Sequence, residues 1–186
     1  MGCIICDVDL HNTEKYHSSW LHIRLPEAAE IHLEWLRTRS EDYSKEVREM
    51  LIEGMHESAV DYLLAKRIVK HEIRREFISI LKHDVDVIII PTTIIPAPRF
   101  NEKTVRIKSE TILKTREALL RNNVVFNSIG LPAVTIPIGL TRNGLPIGGQ
   151  IIGPPFKESL ILSVAYSFEC NNNTMNKLVP PICYDQ

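Results

Sequence analysis

The chain lacks several features that would assign it to a class of function directly. Its 186 residues include 22 Lys+Arg and 23 Asp+Glu, so the formal net charge is -1 and there is no basic excess for binding nucleic acid. The longest candidate for a membrane span, Val85 to Pro91, is far shorter than the roughly 18 residues that cross a bilayer. We therefore expect neither a nucleic-acid partner nor insertion into a membrane.

Cysteine is also scarce. Cys3 and Cys6 form a C-x-x-C, a spacing found in metal and redox pairs. If these residues lie on a strand, side chains three apart point to opposite faces, so neither a shared zinc ion nor a local disulfide is favoured. Cys170 and Cys183 are isolated. With no basic leader at the N-terminus, this predicts a reduced, cytoplasmic protein without a metal site or cofactor.

What is present is an alternation of helical and strand patterns, typical of an α/β fold. A chain of this length can bury a substantial core, and no repeat or linker divides it, so we predict one domain over residues 1–186. Strands are predicted at residues 4–10, 85–90, 133–138 and 146–152, and helices at 26–38, 43–55, 57–81, 103–121 and 158–169.

Four local signals support these boundaries. Pro26 suits the first turn of a helix, because that position needs no backbone N–H. The β-branched run from Val85 to Ile90, closed by Pro91, predicts a fully buried central strand. Arg142-Asn143-Gly144 predicts a tight hairpin turn between the last two strands, and Asn122-Asn123 marks the end of the helix before them.

Two long stretches carry a family resemblance. They read HDVDVIIIPTTIIPAPRF at residues 83–100 and FNSIGLPAVTIPIGLTRNGLPIGGQIIGPPFKESLILSVAYSFE at 126–169. They resemble the C-terminal part of amidase signature enzymes, a family of serine amidohydrolases whose late sequence runs D-v-l-l-x-P-t, f-N-x-x-G-l-P-a-x-x-x-P-x-G and G-l-P-x-G-x-Q-x-x-G. EVREMLIEG and ESAVDYLLAKRIV resemble the helices that precede these words, so the resemblance covers most of the chain.

The resemblance implies a mixed, twisted sheet with helices on both faces, and hydrolysis of carboxylic amides or transfer of the released ammonia. The family's chemistry uses a serine nucleophile, a second serine in a cis peptide and a lysine, while backbone N–H groups hold the oxyanion. The Gly/Ser-rich segment that carries this triad in the family is not found here. Ser18-Ser19 and Lys108-Ser109 lack its context, so we predict surface roles for them, no catalytic residue, and a chain inactive alone.

In a complete enzyme this part would form the far wall of the substrate pocket. Thr92 and Thr93 follow the predicted buried strand at its carboxyl end, where ligands collect in open α/β sheets. Gly130 permits an unusual backbone path, and the Asn127 amide can pin the same loop. We predict that these four residues bind substrate; the alternative is that they only shape their loops.

One departure from the family bears on the substrate. In a second branch of the family, the glutamine-using tRNA amidotransferases, an acidic residue stands where this chain has Leu120, and adjacent arginines lie near Glu49-Met50. Without these charges, the α-amino and α-carboxylate groups of glutamine lack partners. Descent from an amidase for small or hydrophobic amides is therefore favoured over a tRNA-linked role.

Three functional hypotheses remain. The chain is an inert C-terminal portion of an amidase, or one half of a split enzyme completed by a partner chain that carries the triad, or a non-catalytic module that associates with itself. The last two expect exposed apolar surface, because such surface favours association. Only a completed enzyme would have a small amide as its substrate.

Overall fold

A computed structural model describes residues 2–10, 13–107 and 111–172 of the chain. They fall into two compact units. The helical unit comprises residues 8–80 and 127–129, and the sheet unit comprises residues 1–7, 81–126 and 130–186. One domain over residues 1–186 stays a prediction.

Helices and strands follow each other along the described residues. The α-helices are α1 Thr13–Thr38, α2 Lys45–Met55, α3 Ala59–Ile68, α4 Arg74–His83, α5 Thr115–Leu120, α6 Asn123–Ile129 and α7 Glu158–Asn171, with a 3-10 turn at Ser40–Asp42 and a π-helical turn at Val69–Ile73. The strands are β1 Ile88–Pro91, β2 Thr104–Ile107, β3 Thr111–Lys114, β4 Ala133–Leu140 and β5 Pro146–Ile152. None of the described helices has the length and apolar character needed to cross a bilayer.

Helix α1 begins much earlier than predicted. It starts at Thr13, and Pro26 lies inside it, so the predicted start at Pro26 is wrong. Proline in a helix interior removes a hydrogen bond. Burial of Tyr16, Leu25 and Ala29 along this helix offsets that cost, since packing of the buried face supplies most of a helix's stability. Ser19 is also buried, so the surface role predicted for it is wrong.

Gly54 allows α1 and α2 to cross closely. A Cβ atom at residue 54 would lie 2.1 Å from the carbonyl oxygen of Leu25 and 3.1 Å from the Ala29 side chain. The closest of these atoms belongs to backbone, so it cannot give way by changing a rotamer. Gly54 is therefore required by the packing of the helical unit, although it also lies in the last turn of α2.

We predict that Gly54→Ala lowers the free energy of unfolding by about 3 kcal/mol, because the added methyl overpacks the crossing. Urea titration followed by circular dichroism at the helix minimum measures this loss. Gly139→Ala is the matched control, since no atom lies within 4 Å of a Cβ built there. Equal midpoints for the two variants would show that the crossing does not need glycine.

The helix predicted at 57–81 is confirmed in extent but contains a π-helical turn. Ala65, Val69, Ile73 and Phe77 are all buried at a spacing of four residues. In an unbroken α-helix each such step rotates the side chain by about 40° away from the last. The wider turn at Val69–Ile73 counters that rotation and keeps these side chains on the buried side.

Polar contacts join the helices of this unit. The Tyr16 hydroxyl donates to Glu76 Oε2 at 2.8 Å, and His22 Nδ1 lies 2.8 Å from Glu57 Oε1. Burial, followed by the hydrogen bond to Glu76 and the charge of that carboxylate, raises the pKa of the Tyr16 phenol. These contacts link sequence-distant helices and account for the four polar side chains that they join without invoking a ligand.

The sheet unit contains a three-stranded antiparallel sheet in the order β1-β5-β4. The hairpin of β4 and β5 is confirmed: Gly144 has the positive φ of 79° that its turn requires. Strand β4 continues two residues beyond the prediction, with a register irregularity between Pro137 and Gly139. Proline suits this position because β4 pairs with β5 alone among the described strands.

Strand β1 differs from its prediction. It begins at Ile88 and pairs with β5 alone among the described strands, so it lies at an edge of this sheet, and the Ile89 side chain is 62% exposed. The prediction of a fully buried central strand is therefore wrong for the described residues. A β-branched run favours a strand, but it does not specify which neighbours are available to pair with it.

The predicted helix at 103–121 is also wrong over most of its length. Residues 104–107 and 111–114 form an antiparallel pair, and a helix follows only at Thr115–Leu120. Val105, Ile107 and Ile112 are β-branched and favour the extended pair. Lys108 and Ser109 lie outside the described residues. The boundary at Asn122-Asn123 is confirmed, since α5 ends before it and α6 begins at Asn123.

One face of the three-stranded sheet packs against α7. The core there consists of Ile136, Ile151, Ile161 and Ala165. Because side chains alternate along a strand, the neighbouring residues Gly148, Gln150 and Ile152 of β5 lie on the opposite face. Helix α7 thus covers one face, while the other carries the candidate site.

The predicted strand at residues 4–10 is absent, since residues 2–10 have no regular secondary structure. Cys3 and Cys6 are exposed free thiols, and Ile4 is 96% exposed. Because residues 2–10 do not form a strand, the backbone does not fix the Cys3 and Cys6 side chains on opposite faces. Cys170 is exposed on α7, and Cys183 lies outside the described residues. Among the described residues no group of three or more His, Cys, Asp or Glu could hold a metal ion.

Candidate functional site

Thr92 extends the pairing of β1 by one residue. Its backbone N–H donates to the Gly148 carbonyl of β5 at 2.9 Å. Its hydroxyl donates to Thr135 Oγ1 of β4 at 3.4 Å, so the side chain reaches across the middle strand. The predicted residue Thr92 therefore belongs to a pair of threonines, and Thr135 was missed in the sequence.

Gly148 is the reason why the two threonines can meet. A Cβ atom at residue 148 would lie 2.8 Å from Thr92 Oγ1 and 3.2 Å from Thr135 Cγ2. Any residue other than glycine at position 148 would place its side chain between the two hydroxyl groups. Gly148 is the first of the two consecutive glycines in the motif G-L-P-I-G-G-Q. The sequence shows the glycine, but only the strand register shows which residues flank it.

Thr93 has a different role from Thr92 in the described structure. Its hydroxyl donates to the Ile95 carbonyl at 2.7 Å, and its side chain is half-buried. This contact holds the turn that follows β1, which agrees with a loop-shaping role. Substrate binding by Thr93 stays a prediction.

Two asparagines pin the end of β1. Asn122 Nδ2 donates to the Pro91 carbonyl at 2.7 Å, and Asn123 Nδ2 donates to the Thr92 carbonyl at 3.1 Å. Asn123 Nδ2 also lies 3.4 Å from the Leu119 carbonyl of α5. The sequence favoured Asn127 for such a pinning role, whereas the amides that hold Pro91 and Thr92 come from the Asn-Asn pair at the helix boundary.

We predict that Asn123→Ala loosens this end of β1. Loss of a hydrogen bond worth about 1 kcal/mol should raise the exchange rate of the Thr92 amide hydrogen about five-fold, because that hydrogen faces Gly148 next to the lost contact. Hydrogen exchange measured by NMR provides the test. Asn171→Ala is the matched control, since Asn171 Nδ2 donates to a carbonyl within α7. Unchanged Thr92 exchange in Asn123→Ala would contradict the pinning role.

Asn127 and Gly130 lie at the end of α6. Gly130 has φ 64° and ψ 43°, and its N–H donates to the Phe126 carbonyl, so the unusual backbone path is that of a helix C-cap. Asn127 is exposed and belongs to the helical unit. Substrate binding by these two residues stays a prediction. The C-cap by itself explains why residue 130 is glycine.

Gln150 is a further polar residue, and the sequence patterns did not single it out. Only 6% of it is exposed, and its Oε1 atom is buried with no hydrogen-bond partner among the described residues. It lies opposite Thr135 on β4 and Ile90 on β1. Hydroxyl and carboxamide groups can hold a ligand by hydrogen bonds, but they are not general bases at neutral pH.

The chain is similar to known proteins over most of its length. The family model described as Amidase matches residues 3–162. The chain belongs to the amidase family. The resemblance to amidase signature enzymes is thereby confirmed. The matched range includes all of the first stretch, residues 83–100, and the second stretch as far as residue 162.

Curated relatives come from more than one branch of the amidase family. A fatty acid amide hydrolase of Medicago truncatula is 41% identical over 112 residues, which are 60% of this chain and 18% of the relative. The A-type subunit of the glutamyl-tRNA(Gln) amidotransferase of Bartonella bacilliformis is 32% identical over 162 residues, which are 85% of this chain and 32% of the relative. The chain thus spans a third or less of these relatives.

A solved amidase structure shares the fold. It superposes with a TM-score of 0.79 at 26% identity, and the match covers 86% of this chain and 36% of the solved chain. The α/β class is therefore confirmed as part of the amidase signature fold. The part of the amidase signature fold that this chain forms consists of helices and antiparallel strand pairs.

Proposed function

We propose that this chain supplies one wall of the substrate pocket of an amidase and does not hydrolyse amides by itself. The observation that carries the proposal is the contact of Thr92 with Thr135 across Gly148, which puts two hydroxyl groups together at the carboxyl end of β1. Family membership supplies the reaction class, carboxylic amide hydrolysis. The described residues of the site offer hydrogen bonds to a ligand, and among them no nucleophile lies next to a base.

Serines elsewhere in the chain support an inactive fragment. The Ser18 hydroxyl donates to the Lys15 carbonyl, and the Ser163 hydroxyl donates to the Ser159 carbonyl. A hydroxyl that donates to a helix carbonyl has no base that accepts its proton, and an unactivated serine is a weak nucleophile. Neither residue meets the geometric requirement for nucleophilic catalysis.

We predict no hydrolysis of p-nitroacetanilide by the purified chain above the buffer blank. Absorbance of released p-nitroaniline measures the rate, and circular dichroism checks that the protein is folded. A rate that depends on protein concentration and disappears in a serine-to-alanine variant would contradict the proposal. The same assay on a complete amidase of the family is the positive control.

A second candidate function is that of one component of a split enzyme, completed by a partner chain. Strand β1 pairs on one side among the described strands, and Ile89 on it is 62% exposed. The Bartonella relative is itself one component of an amidotransferase, which makes a partner plausible. Exposed strand edges and apolar side chains favour association. The partner would carry the Gly/Ser-rich segment of the family.

Mixing the chain with a polypeptide that carries that segment tests this second function. We expect a 1:1 complex by light scattering and release of p-nitroaniline from the mixture alone. Ile89→Lys should weaken the complex because it buries a charge, whereas Arg142→Lys, in the exposed hairpin turn, should not. A monomer that neither binds the partner nor self-associates would exclude both this function and the non-catalytic module.

For the substrate, we propose a small or hydrophobic amide. Glu49 is exposed and pairs with Lys45 at 3.9 Å, and the Met50 sulfur accepts from Arg24 Nη1 at 3.1 Å. Leu120, at the end of α5, is half-buried and uncharged. These positions provide no paired charges for the α-amino and α-carboxylate groups of glutamine. We also propose that the protein is cytoplasmic.

A further inference from the structure

Gln150 has a buried hydrogen-bonding atom without a partner. Its side chain is more than nine-tenths buried, and Oε1 accepts no hydrogen bond from any described residue. The great majority of buried polar groups in native proteins are paired, so an exception requires an explanation. A donor that is not part of the described chain would satisfy this oxygen.

The register places Gln150 beside the two threonines. It lies directly opposite Thr135 on β4, and it shares its face of β5 with Gly148, over which Thr92 and Thr135 meet. Side chains directly opposite in an antiparallel pair have Cβ atoms about 5 Å apart. Thr92, Thr135 and Gln150 therefore form one polar cluster on the face away from α7.

The hydrogen-bonding groups of this cluster are complementary to a carboxamide. The Thr92 hydroxyl donates to Thr135 Oγ1, which leaves the proton of Thr135 available for another acceptor. Gln150 supplies the acceptor oxygen. The terminal torsion of glutamine is broad, so its carboxamide can turn this oxygen toward Thr135. A ligand carboxamide has a carbonyl acceptor and N–H donors on two atoms bonded to the same carbon, which matches this pair.

We propose that Thr135 and Gln150 bind the carboxamide group of a small primary amide: the Thr135 hydroxyl donates to the ligand carbonyl, and Gln150 Oε1 accepts from the ligand N–H. Thr92 is a positioning residue, because it orients Thr135 through their hydrogen bond. The substrate class rests on the proposed function, but binding by the isolated chain does not require turnover. Two residues beyond the predicted ones thereby gain a role in recognition.

The sequence offers a direct probe of this site. Gln150 and Gln186 are the only glutamines in the chain, so labelling glutamine side chains with 15N gives two pairs of NMR signals, and Gln186 serves as the internal reference. The folded chain is titrated with benzamide and, in parallel, with N,N-dimethylbenzamide. The two ligands share the aromatic ring and the carbonyl, but only benzamide has N–H donors.

We expect the Gln150 signals to shift to saturation with benzamide and to stay in place with N,N-dimethylbenzamide. Gln150→Met and Thr135→Val should each weaken benzamide binding about five-fold, followed on backbone signals, as expected for one lost hydrogen bond. Thr111→Val is the control, because Thr111 is likewise an exposed strand threonine. Thr92→Val should weaken binding less than Thr135→Val, since Thr92 acts through Thr135.

Three results would overturn the inference. The first is no shift with benzamide while the protein is folded; the second is an equal response to both ligands, which would show that no N–H donor is recognised. The third is a shift of the Gln150 signals with protein concentration alone, which would assign the donor to a second copy of the chain. Amide hydrolysis by the isolated chain would instead contradict the proposed function and leave this binding result unaffected.

Discussion

The antiparallel pairing of β5 with strands on both its sides is the constraint on which the sheet unit depends. Its two consecutive glycines, Gly148 and Gly149, each lie where a side chain would collide with a neighbouring residue, one on each face of the sheet. A Cβ at Gly148 would lie 2.8 Å from Thr92 Oγ1, and a Cβ at Gly149 would lie 2.6 Å from Ile138 Cγ2. One glycine thus opens the polar face and the other allows close packing on the apolar face.

The two faces of this sheet have different chemistry as a result. On one face Ile136 and Ile151 pack with Ile161 and Ala165, and the core there is apolar. On the other face the alternation of side chains brings Thr92, Thr135 and Gln150 together around Gly148. Packing against α7 therefore stabilises the strands whose other face presents hydroxyl and carboxamide groups, so the core and the proposed binding site use the same three strands.

Sequence patterns predicted the local features of the fold well. The turn at Gly144, strand β5 and helix α7 each depend on residues close together in the chain, and all three are found where the patterns place them. Strand β1 was recognised as a strand, but its place at the edge of the described sheet was not. At the candidate site, the sequence drew attention to Thr92 because it follows a strand, and substrate binding by Thr92 stays a prediction. Thr135, Gln150 and the pinning role of Asn123 were not predicted.

The sequence by itself determined the family, the order of most elements and the hairpin, because family motifs and turn residues depend only on residues close together in the chain. Tertiary structure decided the full length of α1, the extended pair at residues 104–114 and the polar cluster. Those features depend on which distant residues become neighbours: burial of Tyr16 and Leu25 extends a helix past its proline, and strand register brings residue 92 to residue 135. Propensity is a weak prior wherever such long-range packing supplies the larger free energy.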